Sequence, residues 1–141
     1  MRANMNPAAL AGILILALWG HIAAAAAAQV DDISRDELQT QLGAPVPPLV
    51  LDVRTPDEYA AGHVPGALNL PHDQAAARLA ELGPYRDRTI VLYCKSGRRA
   101  GLAAEVLAQA GFGPLRHLAG DMPGWIAAGL PVEQAATDTQ P

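Results

Sequence analysis

The sequence predicts an α/β domain with a mainly parallel central sheet flanked by helices on both faces. Two short apolar runs, at residues 49–51 and 89–93, begin and end abruptly, as buried strands do. Polar turn residues and a stretch with helical signals follow each run. Strands that alternate with helices favour a parallel sheet, because each helix returns the chain to the same edge. The 141 residues, 50% of them hydrophobic, are enough for one domain with its own core.

The N-terminal segment has the layout of an export signal. An apolar core from Leu10 to Trp19 is followed by a run of alanines, which predicts a signal peptide over residues 1–28. The alternative is an uncleaved anchor formed by residues 7–28. Either reading predicts an exported protein, periplasmic or secreted. The domain is then expected over residues 29–133, and residues 134–141 read as a flexible tail.

Two capping boxes mark helix starts in the first half of the domain. Residues 34–37 read Ser-Arg-Asp-Glu, and Gly43 ends the short helix that they open. Residues 55–58 read Thr-Pro-Asp-Glu, with the proline at the first helical position. The second box comes directly after the strand at 49–51, so this part predicts the order helix, strand, helix.

The second half of the domain repeats the alternation. Residues 73–82 predict an alanine-rich helix, and the strand at 89–93 runs into a helix over residues 100–111. Residues 115–119 read as a further strand. Asp121 is then expected to cap a final short helix.

The only cysteine, Cys94, lies at a predicted strand-to-helix turn. In an open parallel sheet such turns lie at the carboxyl edge, where ligands bind. Asp52 and Arg54 follow a neighbouring strand and are expected at the same edge. A helix N-terminus favours the thiolate form of a cysteine, and the thiolate is the reactive nucleophile.

Three cations stand within five residues of this cysteine: Lys95, Arg98 and Arg99. Gly97 allows the loop to turn its backbone N–H groups inward, which makes an anion-binding nest. Because the whole chain carries a net charge of −4, these cations are a local feature and a nucleic-acid surface is not expected. No Cys/His pair has zinc-site spacing, and neither a metal nor a cofactor is predicted.

Three segments together resemble a known family. Residues 51–59 with 62–67, the loop 94–99, and residues 120–132 are similar to the signatures of single-domain rhodaneses, in the same order. The likeness covers residues 33–132. It implies a rhodanese-like fold and a sulfurtransferase activity.

The resemblance also implies a mechanism. The Cys94 thiolate would attack the outer sulfur of a donor such as thiosulfate and become a persulfide, and cyanide or a thiol would then accept that sulfur. The acceptor could also be a protein. The residues implied in donor binding follow the cysteine directly: Lys95, Ser96, Gly97, Arg98 and Arg99. Lys95 and Arg98 are expected to bind the anionic donor, whereas Arg99 is expected to turn inward and pair with Asp52. Asp52 and Arg54 are expected to be supporting residues of the site.

Several residues receive a structural interpretation. Asp121 stands where a second glycine is usual in the family, and we expect it to affect only a local turn away from the cysteine loop. His63 is expected to be a hydrogen-bonding strut. His72 and His117 show no partner in the sequence and are expected to be surface or satisfied residues. Trp125 is expected in the core.

Two alternative functions remain open. A cysteine phosphatase or arsenate reductase also cradles a thiolate, but its arginine stands six positions after the cysteine. Here that position is Ala100. The second alternative is a non-enzymatic sulfur carrier or partner-binding module, which would need Cys94 equally.

Overall fold

The structure is a computed structural model that describes residues 30–136. It contains a parallel five-stranded sheet in the order β1-β5-β4-β2-β3. The strands are β1 (Asp31–Ile33), β2 (Leu49–Asp52), β3 (Leu68–Asn69), β4 (Ile90–Tyr93) and β5 (Leu115–Leu118). The α-helices are α1 (Arg35–Leu42), α2 (Pro56–Ala61), α3 (Arg98–Gln109) and α4 (Asp121–Ala127). The predicted α/β class is confirmed.

Alternating strand residues divide the core into two layers. Leu51 and Leu92 belong to the cluster under α3, whereas Val50, Val91 and Tyr93 belong to the cluster under α1 and α4. Successive side chains of a strand point to opposite faces, so a strand covered on both sides is apolar throughout. This is why residues 89–93 read as an unbroken apolar run.

The two predicted capping boxes differ in the structure. At α2 the box is complete, because the Thr55 hydroxyl accepts from the Glu58 N–H and the Glu58 carboxylate accepts from the Thr55 N–H. At α1 the Ser34 hydroxyl accepts from the Glu37 N–H. The Glu37 carboxylate accepts instead from the Gln41 amide, so only half of the predicted box is present.

The predicted helix over residues 73–82 is wrong. The chain forms two 3-10 helices there, His72–Gln74 and Leu79–Tyr85. Within 73–82 only Ala75 and Leu82 are buried. Alanine has a high helix propensity, but a helix in a protein is held mainly by a buried apolar face, and this stretch has little to bury.

The predicted signal peptide or anchor, residues 1–28, lies outside the described residues. None of the helices within residues 30–136 has the length and hydropathy needed to cross a membrane. At the other end, Gln134 and Ala135 from the predicted tail hydrogen-bond to the last turn of α2, through the carbonyls of Ala61 and Ala60.

Candidate active site

Cys94 lies at the carboxyl edge of the sheet, directly after β4. The chain turns through Lys95, Ser96 and Gly97 and enters α3 at Arg98. Gly97 has a φ of 86°, a left-handed conformation that glycine adopts without a steric cost. The Gly97 N–H donates to the Cys94 Sγ over 3.1 Å. The loop is therefore folded tightly around the sulfur.

Helix α3 begins earlier in the chain than the sequence predicts. The helix starts at Arg98 rather than Ala100, so both arginines belong to its first turn. The Gly101 N–H donates to the Gly97 carbonyl over 2.9 Å, which closes the first turn. The N–H groups of the helix residues before Gly101 have no helix carbonyl to which they can donate. The N-terminus of α3 therefore carries a partial positive charge, and it lies beside the sulfur.

The thiol is covered, and the charged rim of the loop is exposed. Cys94 has no exposed surface, whereas Lys95, Ser96 and Arg98 are exposed. A groove of about 470 Å³ opens beside Lys95. Its other lining residues are Arg54, Glu58, Met122, Pro123, Ile126 and Ala127. The groove therefore combines charged residues on one side with an apolar wall from α4.

Arg99 does not pair with Asp52, and that prediction is wrong. Its guanidinium binds Glu58 in a two-point contact, Nη1 to Oε2 at 2.7 Å and Nη2 to Oε1 at 3.0 Å. The hydrogen bond from Arg99 is the main reason that the pKa of Glu58 is lowered to about 2. The pair joins the first turn of α3 to the first turn of α2.

Asp52 is occupied by other partners. It is fully buried, and its carboxylate accepts from the Arg54 Nη2 over 2.6 Å and from the Tyr93 hydroxyl over 2.7 Å. The Arg54 N–H and Nε also donate to it. Burial opposes the charge of Arg54, but the contacts with Asp52 still raise the pKa of that guanidinium. Asp52 and Arg54 thus form one buried cluster at the end of β2.

Asp121 lies at the cysteine loop, contrary to the prediction that it stands away from it. Its Oδ1 accepts from the Cys94 N–H over 2.8 Å. It does not cap α4, because Gly120 holds the N-cap position without a side-chain hydrogen bond. A Cβ at Gly97 would lie 3.6 Å from the Asp121 Oδ2. The departure from a second glycine was the signal in the sequence that could have indicated this contact.

His117 has two partners that the sequence did not indicate. Its Nε2 lies 3.0 Å from the Asp121 Oδ1, and its Nδ1 lies 2.9 Å from the Asp32 Oδ1. The hydrogen bond with Asp121, and then that with Asp32, raises the pKa of His117 to about 9 although burial opposes the charge. For Asp121, burial works to raise the pKa, but the bonds from His117 and Cys94 lower it.

The raised pKa of His117 predicts a pH-dependent contribution to stability. This contribution is complete below the ordinary pKa of 6.5 and disappears as the pH rises through about 9, because the proton is then lost in the folded state too. We expect His117→Gln to lower the free energy of unfolding by about 2 kcal/mol near pH 6 and by far less at about pH 10. Urea melts of both proteins across this range measure the difference. A difference that stays constant would contradict the assignment.

The remaining structural assignments agree with the sequence analysis. His63 Nδ1 lies 2.9 Å from the Tyr59 carbonyl oxygen, and the ring stacks on Tyr59 at a centroid distance of 3.7 Å. Trp125 is buried, and its indole N–H donates to the Pro131 carbonyl over 2.7 Å. His72 is half-buried, and its backbone N–H donates to the Val53 carbonyl over 3.0 Å.

Fold and site together define an α/β domain with a parallel sheet that presents its one cysteine in a strand-to-helix loop. Residues 34–128 match the rhodanese-like domain family, and the chain therefore belongs to that family. The resemblance seen in the sequence motifs is confirmed.

Individual relatives are consistent with this assignment. A protein named sulfurtransferase from Allochromatium vinosum is 37% identical over 103 residues, which cover 73% of this chain and 94% of the relative. The thiosulfate sulfurtransferase PspE of Escherichia coli is 36% identical over 70 residues, 50% of this chain and 67% of its own length. The crystal structure of a rhodanese-related protein from Thermoplasma volcanium has a TM-score of 0.65 at 28% identity and covers 74% of this chain and 99% of its own.

Proposed function

We propose that the chain is a sulfurtransferase that moves sulfane sulfur from an anionic donor, thiosulfate, to a thiophilic acceptor through a persulfide on Cys94. The observation that carries this proposal is the position of the Cys94 Sγ. It accepts the Gly97 N–H at 3.1 Å and lies at the N-terminus of α3. The names of the two sulfurtransferase relatives support the same chemistry.

The reaction proceeds in two displacements. The Cys94 thiolate attacks the outer sulfur of thiosulfate, a new S–S bond forms, and the old S–S bond breaks with its electron pair leaving on sulfite. Cyanide or a thiolate then attacks the outer persulfide sulfur, and Cys94 leaves as the thiolate. Each bond that forms replaces one that breaks, so no external oxidant is needed.

The size of the loop favours sulfur over phosphate. Three residues separate Cys94 from the start of α3, fewer than the sequence predicted. The Gly97 N–H donates to the sulfur and the first turn of α3 follows directly, so this short loop offers its donors at one small site, which suits a single charged sulfur atom. A phosphoryl group needs donors for three equatorial oxygens. This argues against the phosphatase alternative.

Access to the covered thiol sets a further requirement. Because Cys94 has no exposed surface, the donor reaches the sulfur only after the groups that cover it move. The apolar wall of the neighbouring groove provides contact for the carbon skeleton of a thiol acceptor.

The deciding experiment is an intact-mass measurement before and after treatment with thiosulfate. The proposal requires one added sulfur on Cys94 and its removal by cyanide as thiocyanate. An unchanged mass would contradict thiosulfate as donor. Persulfide formation only from a partner protein, without steady-state turnover of thiosulfate, would favour the sulfur-carrier alternative.

The exposed cations are proposed to bind and steer the donor. Replacing Lys95 or Arg98 with alanine is expected to raise the KM for thiosulfate about three- to tenfold, because exposed charges attract a dianion. The same change should weaken the salt dependence of kcat/KM, since salt screens exposed charges. Arg86→Gln is the matched control, because Arg86 lies at the opposite end of α3, where it donates to Ala110. An equal effect in that control would show that only net charge matters.

We also propose that residues 1–28 direct the protein out of the cytosol. Their apolar core and alanine run support this proposal. N-terminal sequencing of exported protein distinguishes the alternatives: a start near Gln29 indicates a cleaved signal, and a start at Met1 indicates an anchor.

A further inference from the structure

Two side chains beneath the cysteine loop take no part in the proposed displacements. Asp121 binds the Cys94 N–H over 2.8 Å, and His117 binds the same Asp121 oxygen over 3.0 Å. Both side chains also lie beside Gly97, where an added Cβ would be 3.6 Å from each of them. The pair therefore binds one end of the turn that surrounds the sulfur and lies beside the other end.

Asp121 occupies this position at a conformational cost. Its φ is 53°, a left-handed conformation that is strained for a residue with a Cβ. The residue is only 5% exposed, so its carboxylate has also lost most of its contact with water. Glycine at this position would avoid both costs. The contacts of the carboxylate with Cys94 and His117 offset them.

A carboxylate at this position creates an electrostatic problem for the proposed chemistry. Negative charge beside Cys94 disfavours the thiolate and repels a dianionic donor. The cationic side chain that faces Asp121 is His117. The titratable groups that face the His117 ring are Asp121 from α4 and Asp32, 67% exposed, from β1. From α3 and its preceding turn only small residues line this region: Gly97, Ala100, Gly101 and Ala104.

We propose that Asp121 and His117 form a charge-compensated positioning pair. Asp121 holds the base of the loop through the Cys94 N–H, and the His117 cation cancels the charge that this carboxylate would otherwise impose on the sulfur. The role in sulfur transfer rests on the proposed function, but the electrostatic arrangement itself does not.

The test compares two alkylating reagents on Cys94. Iodoacetate and iodoacetamide are similar in size, but only iodoacetate is an anion. The rate with iodoacetate divided by the rate with iodoacetamide therefore reports the electrostatic potential at Cys94. The thiolate fraction and the access to the covered sulfur affect both rates and cancel in this ratio. The ratio is measured at low salt and about pH 6.5 for the native chain, His117→Gln, Asp121→Asn and the double variant. Arg116→Gln is the matched control, because it removes a cation from the same strand, β5, one residue from His117.

Charge compensation predicts an ordered set of ratios. His117→Gln should lower the ratio about threefold, because it leaves the Asp121 charge uncompensated. Asp121→Asn should raise the ratio by a smaller factor, because Asp32 still faces the His117 cation. The double variant should return to the native ratio. Structural damage would instead accumulate in the double variant. Equal ratios for His117→Gln and Arg116→Gln would overturn the proposal, as would a double variant that stays as low as His117→Gln.

A measurement on the native chain covers the case in which a variant fails to fold. The ratio should fall as the pH rises through about 9, where His117 loses its proton. A flat ratio across this range would contradict the pair.

Persulfide formation from thiosulfate is measured by intact mass in the same proteins. This measurement distinguishes a failure of this proposal from a failure of the proposed function. If the ratios follow the expected order but thiosulfate adds no sulfur, the proposed function fails and the pair stands. If thiosulfate adds sulfur but the ratios do not change, the pair fails and the function stands.

Discussion

Cys94→Ser is expected to abolish sulfur transfer while the fold stays intact. A serine hydroxyl is neither ionised at neutral pH nor able to carry a transferable sulfur, so turnover should fall on the order of a thousandfold or more. The hydroxyl can still accept the Gly97 N–H that the sulfur accepts now, and the two side chains are close in size. The change in the free energy of unfolding should therefore stay within about 1 kcal/mol.

Two measurements on the same variant test this expectation. Thiocyanate formation from thiosulfate and cyanide reports turnover, and a urea melt reports stability. Cys94→Ala serves as the companion variant, because it removes the nucleophilic atom altogether. If the serine variant kept more than about a hundredth of the native rate while the alanine variant lost it, an oxygen nucleophile would be acting and the persulfide mechanism would be wrong.

Local features of the fold could be predicted because their causes are local. The cap of α2 depends on Thr55 and Glu58, three residues apart, and its hydrogen bonds are present. The strand at residues 90–93 is apolar on both faces because helices cover both faces of the sheet. The helix predicted over residues 73–82 is wrong for a related reason. The alanines there have a high helix propensity, but the stretch has too few apolar side chains to bury for a helix to be stable.

Long-range pairing could not be predicted, because the sequence shows charges without distances. Arg99 could pair with Asp52 or with Glu58 as far as the sequence shows. Asp52 is already bound by Arg54, only two residues away, which leaves Glu58 for Arg99. The Asp121 contact spans 27 residues and depends on how the end of β5 meets the end of β4. Only the unusual residue at that position was visible in advance.

The largest loss of stability is expected at the Asp52 cluster rather than at Arg99. Asp52→Asn keeps the size of the side chain but removes the charge that compensates the buried Arg54, and it weakens the acceptor of the Tyr93 hydroxyl. Breaking a buried pair by removing one partner costs on the order of 3–5 kcal/mol. Arg99→Ala breaks a pair whose two side chains remain 22% and 32% exposed, and solvent screening limits its cost to about 1 kcal/mol.

Urea melts of both variants separate a buried cluster from a surface pair. Equal losses for Asp52→Asn and Arg99→Ala would show that burial does not decide the cost here. A second variant identifies the cause of the larger loss. If the stranded Arg54 cation is responsible, adding Arg54→Met to Asp52→Asn should recover part of the stability, because a buried apolar side chain replaces an uncompensated charge. If the lost hydrogen bonds alone are responsible, the double variant should be less stable than Asp52→Asn, because the bond from Arg54 to the Gly62 carbonyl is then lost as well.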